Sequence, residues 1–341
     1  MISLRSFAIW YDSKHDMNNM EKEKEKDIIH INFWSQIPSN PEKCYFDFGI
    51  YVNDISDVKN LNIYCPFEVR KNNIRDLGAR FSDGNLVNAL FNEDYTTTGG
   101  NAKRYLINKN KNLKEQFIIY AITEDSEIKI ENCKRIKFHS DNPKTNDKGK
   151  GSIIIIDVSD VIEKSEESLK KIKSYYFRLR IETTKNDMKL ITKKVSTESL
   201  FTDTFVSTEI MDFRINDIRS CCDEIRNRFN YGKHFSLKAI HYLVMRKAND
   251  RVIADGNLYT CRLLEQDIWN GYIDNLNDNI IAYHFKKIAN GINMVDSLCI
   301  LVRFQSRIKT ITTIFIYLLI AIGLGVLVNF ITEFFKSLCN Q

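Results

Sequence analysis

Apolar and polar residues alternate in short segments through most of the first 305 residues, with turn-rich gaps between the segments. Residues 44–52 (CYFDFGIYV) carry apolar side chains at every second position, which is the period of a half-buried β-strand. Residues 174–183 (SYYFRLRIET) predict another strand of this kind. Many short strands with few helices predict a β-rich α+β domain with a sandwich-like architecture, and they argue against a doubly wound sheet.

Helical spacing of apolar residues is rarer in this part of the chain. Four segments show it: residues 85–92, 161–172, 217–229 and 261–272. Ser82 or Asp83 can cap the first of these, because a side-chain oxygen at the N-cap accepts a hydrogen bond from a backbone N–H of the first turn. The sequence therefore predicts a few short helices among many strands.

A continuous apolar segment follows at residues 311–331, and no charged residue lies between Lys309 and Glu333. A helix of about 20 residues is ~30 Å long, which matches the hydrocarbon core of a bilayer. We therefore predict a single C-terminal transmembrane helix. Two alternatives remain for the residues before it: a strand at 298–304 followed by a separate helix, or one long helix over 293–330.

The charges on either side of the apolar segment predict its orientation. Arg303, Arg307 and Lys309 precede it, whereas only Glu333 and Lys336 follow it closely. Because the more positive flank of a transmembrane helix stays in the cytoplasm, we expect the N-terminal domain on the cytoplasmic side. The first residues contain no apolar core of signal-peptide length. The prediction is a single-pass, tail-anchored membrane protein.

One face of the predicted membrane helix carries small and polar side chains. They recur every four residues: Thr313, Tyr317, Ala321, Gly325 and Asn329. In lipid, helices associate through close backbone contact at small residues and through interhelical hydrogen bonds. This stripe predicts self-association of the protein within the bilayer.

These patterns divide the chain into five segments. They are an N-terminal segment with a charged linker (1–27), a β-rich domain (28–196), an α+β subdomain packed on it (197–305), a juxtamembrane junction with the transmembrane helix (306–335) and a short tail (336–341).

Composition adds limits on function. Of the 341 residues, 43% are hydrophobic and 27% are charged, which is typical of a folded chain. The net charge of +5 is spread along the length, and this argues against nucleic acid as a partner. The eight cysteines include no CxxC pair, so they predict neither a zinc site nor a disulfide framework.

No local motif for catalysis or cofactor binding stands out. The Gly-containing segments at 96–101 and 147–152 lack the spacing of a phosphate-binding loop, and the six histidines form no HxH or HExxH pair. No GxSxG turn is present. The sequence therefore predicts no catalytic residue, no metal ligand and no cofactor.

Charged and aromatic residues are interleaved between residues 231 and 286, and we select this region as a candidate anion or nucleotide pocket. The residues are Arg246, Arg251, Arg262, Trp269, Tyr283 and His284. Arginine matches phosphate and carboxylate groups with paired hydrogen bonds, and aromatic rings stack on planar ligands. A solvated face with core aromatics is the other interpretation of the same residues.

A large cytosolic domain joined to one associating helix favours a non-enzymatic sensor or effector. In this hypothesis the domain binds a protein partner or a small anionic ligand, and the protein then oligomerises at the membrane. This layout is typical of prokaryotic membrane-acting effectors in antiviral defence and stress responses, which is an analogy of organisation only. The alternatives are a membrane-tethered hydrolase or nuclease, and a tethered scaffold for one protein partner.

Overall fold

The computed structural model describes residues 6–15, 26–35, 42–98, 104–109, 112–122, 127–133, 151–195, 206–253, 259–273, 276, 279–291, 293–307 and 311–339. These residues form a β-rich domain with several sheets and few helices, followed by one apolar C-terminal helix. The fold class predicted from the sequence is confirmed at this level.

The strands, in chain order, are β1 (Ala8–Ser13), β2 (Asp27–Trp34), β3 (Lys43–Val52), β4 (Val58–Cys65), β5 (Ile74–Asp76), β6 (Tyr95–Thr98), β7 (Arg104–Lys109), β8 (Asn112–Tyr120), β9 (Ile128–Asn132), β10 (Ser152–Asp157), β11 (Tyr175–Thr184), β12 (Thr192–Val195), β13 (Val206–Ile215), β14 (Leu237–Lys247), β15 (Arg251–Ile253), β16 (Tyr259–Leu263), β17 (Ile280–Ile288) and β18 (Leu298–Arg307). The helices are α1 (Gly84–Phe91), α2 (Lys185–Met188), α3 (Asp223–Tyr231), α4 (Gln266–Trp269) and α5 (Ile311–Cys339).

The strands form three sheets. Sheet I has ten strands in the order β16-β17-β14-β2-β3-β11-β8-β7-β6, with β5 also paired to β11. Sheet II has the order β1-β4-β10-β9, and sheet III has the order β12-β13-β18-β15. Within sheet I, β2 runs parallel to β14 and β8 runs parallel to β11, whereas β2 and β3 are antiparallel.

The largest hydrophobic core contains buried side chains from all three sheets. Phe46 on β3 stacks on Phe33 with 4.6 Å between ring centroids, and Phe7 lies 5.0 Å from Phe46 and 5.5 Å from Phe213 on β13. Burying one such side chain contributes about 1.5–3 kcal/mol. The alternation in residues 44–52 therefore predicted both the strand and its core-facing side chains correctly.

A second core covers the opposite face of sheet I. Trp34 on β2 and Tyr176 on β11 pack there with Phe81 and with Trp269 of α4. Helix α1 adds Leu86 and Val87 to the same core. Sheet I is thus covered on both faces, so polar side chains on this second face are removed from solvent.

Helix α1 confirms the prediction for residues 85–92. It begins after Asp83, whose carboxylate accepts a hydrogen bond of 2.9 Å from the Asn85 N–H, and it ends at Asn92 in the left-handed conformation. The prediction for residues 217–229 is confirmed in part: a 3-10 turn (Ile218–Ser220) precedes α3.

Two other predicted helices are wrong. Residues 261–272 begin in β16, and only α4, with four residues, is helical, because the Tyr259–Leu263 backbone bonds to β17. Residues 161–172 form a series of turns, such as the one closed by the Ser165 N–H on the Ile162 carbonyl, rather than a helix. The apolar side chains of residues 161–172 are presented by turns, and those of residues 261–272 by a strand followed by a short helix.

The sheets do not follow the predicted segment boundaries. Sheet I takes β2, β3 and β11 from residues 28–196, and β14, β16 and β17 from residues 197–305. Strand β1 comes from the predicted N-terminal segment, and it pairs with β4 in sheet II. The three sheets therefore link all of these segments.

Helix α5 begins at Ile311, and β18 ends at Arg307, so the alternative of one helix over residues 293–330 is wrong. Within α5 the 20 residues Tyr317–Lys336 are long and apolar enough to cross a membrane, and none of that stretch is buried in the domain. In the predicted association stripe, Ala321, Gly325 and Asn329 are exposed, whereas the side chain of Thr313 lies outside the described part. Self-association through this stripe stays a prediction.

Candidate anion-binding site

Polar side chains interrupt the second face of sheet I. His30 and Asn32 on β2 alternate with Ile29, Ile31 and Phe33 of the main core, so they point to the opposite side. By the same alternation Asp47 on β3 and Arg178 and Arg180 on β11 also lie on this face. All five are buried: His30 6%, Asn32 0%, Asp47 0%, Arg178 0% and Arg180 5% exposed.

Asp47 is the centre of one fully bonded group. Arg180 donates two hydrogen bonds to its carboxylate, at 2.7 and 2.9 Å, while the Trp34 indole N–H and the Tyr272 hydroxyl each donate one at 2.8 Å. Burial alone would raise the pKa of Asp47, but the charge and hydrogen bonds of Arg180 lower it below its usual value. Asp47 is therefore ionised, and it neutralises Arg180.

Arg178 has no such counterion. Its Nε donates to the Tyr272 hydroxyl at 2.7 Å and its Nη1 to the Tyr176 hydroxyl at 2.8 Å, both of which are neutral groups. Its Nη2 is buried and has no hydrogen-bond partner. Within the described part of the chain no carboxylate bonds to Arg178, so two guanidinium groups share the charge of Asp47, and one positive charge is left over.

Other unpartnered polar atoms lie on the same face of sheet I, with His30 in the row of Arg178 and Asn32 in the row of Asp47 and Arg180. His30 Nδ1 and both amide atoms of Asn32 are buried without a hydrogen-bond partner. His30 and Arg178 are both paired with Gly49 in the register of β2, β3 and β11, and a Cβ at Gly49 would lie 2.0 Å from the Tyr176 hydroxyl. The missing side chain at Gly49 thus lets polar groups from two strands approach each other.

Three histidines form a row from this point toward the edge of sheet I. His30 is paired with His241 on β14, and their ring centroids are 4.9 Å apart. His241 is nearly parallel to His284 on β17 at 5.1 Å, and His241 Nδ1 lies 2.9 Å from His284 Nε2. His241 and His284 are only partly buried. The row therefore connects the buried Arg178 group with the surface.

Burial, and to a smaller degree the charges of neighbouring groups, keep these imidazoles neutral. Burial lowers the pKa of His30, and His241 and Arg178 lower it further. Burial followed by His284 and Lys286 lowers the pKa of His241 to about 4, and burial followed by Lys286 and Arg262 lowers the pKa of His284 to about 4. All three imidazoles are therefore uncharged at neutral pH, and the cations beside them are Arg178, Lys286 and Arg262.

We predict a loss of stability on acidification that originates in this row. The unfolded chain takes up protons on histidine below about pH 6.5, whereas the folded chain does not do so until the pH nears 4. Stability is thus lost as the pH falls, by about 2 kcal/mol per histidine between pH 6.5 and 5. Melting of the full chain in detergent, followed by tryptophan fluorescence, measures this loss.

The variant His284→Gln should reduce that loss for two reasons. Glutamine does not titrate, and removal of the His284 imidazole also takes away one of the causes that lower the pKa of His241. A slope of melting temperature against pH that is the same in His284→Gln and in the natural chain would contradict the assignment to this row.

The arrangement is suited to hold a small anion. It offers an unneutralised guanidinium, an amide with free donor and acceptor atoms, and an imidazole nitrogen, all in a low-dielectric setting that strengthens charge-assisted hydrogen bonds. Among the described residues, no group of three or more His, Cys, Asp or Glu side chains is placed to hold a metal ion. The chemistry of the donors favours a carboxylate or a phosphate.

The six residues selected from the sequence lie in three places. His284 is a member of the histidine row, Arg262 lies near it and donates to the Ala89 carbonyl of α1, and Trp269 is buried in the second core. Arg246 and Tyr283 lie on the other face of sheet I, where Arg246 bonds to Glu209 and Ser35, and the Tyr283 hydroxyl donates to the Asp250 carbonyl. Arg251 is exposed on β15 of sheet III. They do not converge on one pocket.

Four residues of the site were missed: His30, Asn32, Arg178 and His241. A signal for three of them was present, since His30 and Asn32 stand in an otherwise apolar strand (IIHINFW) and Arg178 stands between apolar residues in YYFRLRIE. Polar residues at one face of such strands indicate either a solvated face or a buried site. Because α1 and α4 cover this face of sheet I, the polar residues on it form a buried site.

Comparison with known proteins finds no family model that matches the sequence and no curated protein that matches it significantly.

Proposed function

We propose that this protein is a membrane-anchored sensor or effector whose sandwich-like cytosolic domain binds a small anion at the Arg178 group. Helix α5 anchors it as a single span with the domain in the cytoplasm, and the stripe at Ala321 and Gly325 brings bound copies together. The observation that carries the proposal is the guanidinium of Arg178, which is fully buried, has an unpartnered Nη2 and is bonded to no carboxylate among the residues that the structure describes.

Burial of a charge without a counterion costs free energy. An anion that binds beside the guanidinium acts as its counterion and offsets a large share of that cost. A ligand phosphate or carboxylate can accept a charge-assisted hydrogen bond from Arg178 Nη2. These groups are too deeply buried to serve as a docking surface for a protein partner. A small ligand fits them better.

Binding is also favoured over catalysis. A general base works best when its pKa lies near the operating pH, whereas the pKa values of His241 and His284 are lowered to about 4. Such imidazoles are weak bases at neutral pH. The row is better suited to respond to an anion, whose charge raises the pKa of each histidine and lets it take up a proton.

Titration of the full chain in detergent micelles with inorganic phosphate and with acetate, followed by calorimetry, tests this function. We expect binding of at least one of the two anions, and a loss of about tenfold or more in Arg178→Met, because a charge-assisted hydrogen bond contributes ~1.5–3 kcal/mol. Methionine has a similar length and removes the buried charge, so the fold should persist. Tryptophan fluorescence checks this.

Arg228→Met is the matched control, since Arg228 is an exposed arginine paired with Glu131 on the surface. It should leave the affinity unchanged. Asn32→Leu gives a second variant, for which we expect weaker binding with the fold intact. Equal affinity in Arg178→Met and Arg228→Met, or no heat with either anion, would overturn the proposal.

A further inference from the structure

Sheet III has one face in the main core and one face toward solvent. Met211 and Phe213 on β13 and Val302 and Phe304 on β18 are buried in the core, so the residues between them point outward. The opposite side of these strands is the outer face of sheet III. Leu301 lies on this outer face and is 48% exposed, so the described part of the chain leaves the face open to solvent there.

Two rows of residues cross this outer face. The first row runs Lys193, Ile210, Arg303 and Ile253 over all four strands, and the second runs Val195, Thr208, Gln305 and Arg251. Lys193, Arg303 and Arg251 are exposed, while the apolar members of both rows are partly exposed. Neither row contains an acidic residue. The face is therefore basic with apolar side chains between the charges.

A cleft of about 230 Å³ lies on the same face, farther from the C-terminal end of β18 than the two rows. It is lined by Lys189, Ile191, Thr192, Lys193, Ile210, Asp212 and Leu301. Asp212, the acidic member, is neutralised by Arg214 at 2.8 Å. The cleft thus offers two lysines beside apolar walls, which suits an amphiphile with a negative headgroup.

The outer face is close to the membrane helix along the chain. Strand β18 ends at Arg307 and α5 begins at Ile311. With a rise of ~3.3 Å per residue, Arg251, which is paired with Gln305, lies about 7 Å from the end of β18. That distance is within the screening length of about 8–10 Å at physiological salt, so a negative bilayer surface at this end attracts the face.

We propose that the outer face of sheet III lies against the headgroups of anionic lipids and holds the domain down on the bilayer. The proposal rests on the membrane anchoring in the proposed function and not on the anion site. Lys193 and Arg251 contact lipid phosphates, and Leu301 and Ile210 contact the boundary of the acyl chains. Each basic residue near an anionic leaflet adds attraction, and the anchor supplies a high local concentration of lipid.

Two natural cysteines allow this proposal to be tested without introducing a cysteine by mutation. Cys299 on β18 pairs with Arg214 and lies on the outer face of sheet III, whereas Cys261 is on β16 at the edge of sheet I, and both are exposed. The full chain is placed in lipid nanodiscs of phosphatidylcholine, with or without phosphatidylglycerol. Mass spectrometry then follows the rate of maleimide labelling at each cysteine.

We expect phosphatidylglycerol to slow labelling of Cys299 by about fivefold or more while Cys261 is unchanged. High salt and the double variant Lys193→Glu/Arg251→Glu should restore the fast rate. The matched control Lys129→Glu/Lys170→Glu has the same net charge, changes one exposed and one partly exposed lysine outside sheet III, and should retain protection. An equal rate at Cys299 in both lipids would overturn the docking alone, whereas failure of the chain to enter nanodiscs would overturn the anchor as well.

Discussion

Replacement of Asp47 by alanine is expected to lower the free energy of unfolding by about 3–5 kcal/mol. The carboxylate is fully buried and accepts four hydrogen bonds, two of them from Arg180. Its removal leaves Arg180 as well as Arg178 charged and without a counterion inside the protein. Because domains are stable by only about 5–15 kcal/mol, the variant should melt far below the natural chain.

The double variant Asp47→Ala/Arg180→Met should recover part of this loss, because it removes the Arg180 charge together with its carboxylate partner. Asp160→Ala is the surface control: Asp160 pairs with Lys164 at 3.4 Å in an exposed turn, and its loss should change stability by about 0.5 kcal/mol or less. Denaturant unfolding followed by tryptophan fluorescence measures all three. Losses of similar size for Asp47→Ala and Asp160→Ala would show that the buried group contributes no more than a surface pair.

The second large effect is expected in α5. Leu324→Arg/Val328→Arg places two guanidinium groups on one side of the 20-residue apolar stretch. Each costs about 2.5–3.5 kcal/mol at the centre of a bilayer, which together offsets most of the ~4–8 kcal/mol that the apolar side chains supply. The protein should leave the membrane fraction in a flotation gradient after alkaline extraction.

Leu324→Ala/Val328→Ala tests whether the charge is responsible, because alanine shortens the same two side chains without adding charge. It should still float with the lipid. If the arginine variant floated equally well, α5 would not be acting as a transmembrane span.

The parts of the fold that follow from local pattern were predicted from the sequence. Residues 44–52 and 174–183 alternate over nearly the full length of β3 and β11, and Asp83 marks the start of α1. Residues 261–272 were misassigned because their apolar spacing fits a helix, while the pairing of β16 with β17 is a contact across the sheet that no local window contains. Order of strands and sheet membership depend on such distant contacts.

The site was harder to predict than the fold for the same reason. His30, His241 and His284 are far apart in sequence, and they become neighbours only because β2 and β17 both flank β14 in sheet I. A motif search cannot detect a row assembled in this way. The missing counterion of Arg178 is likewise visible only when the burial and partners of the side chain are known.

Strand β18 has one more consequence. It is an interior strand, paired with β13 over ten residue pairs on one side and with β15 on the other, and it leads to α5. Ladder hydrogen bonds run perpendicular to the strand. A pull along the axis of β18, such as the proposed anchoring of α5 in a bilayer would exert, therefore loads these bonds in shear, so that they must break together rather than one after another. Strand β18 is thus a mechanically resistant end of the domain, because β13 and β15 share any load placed on it.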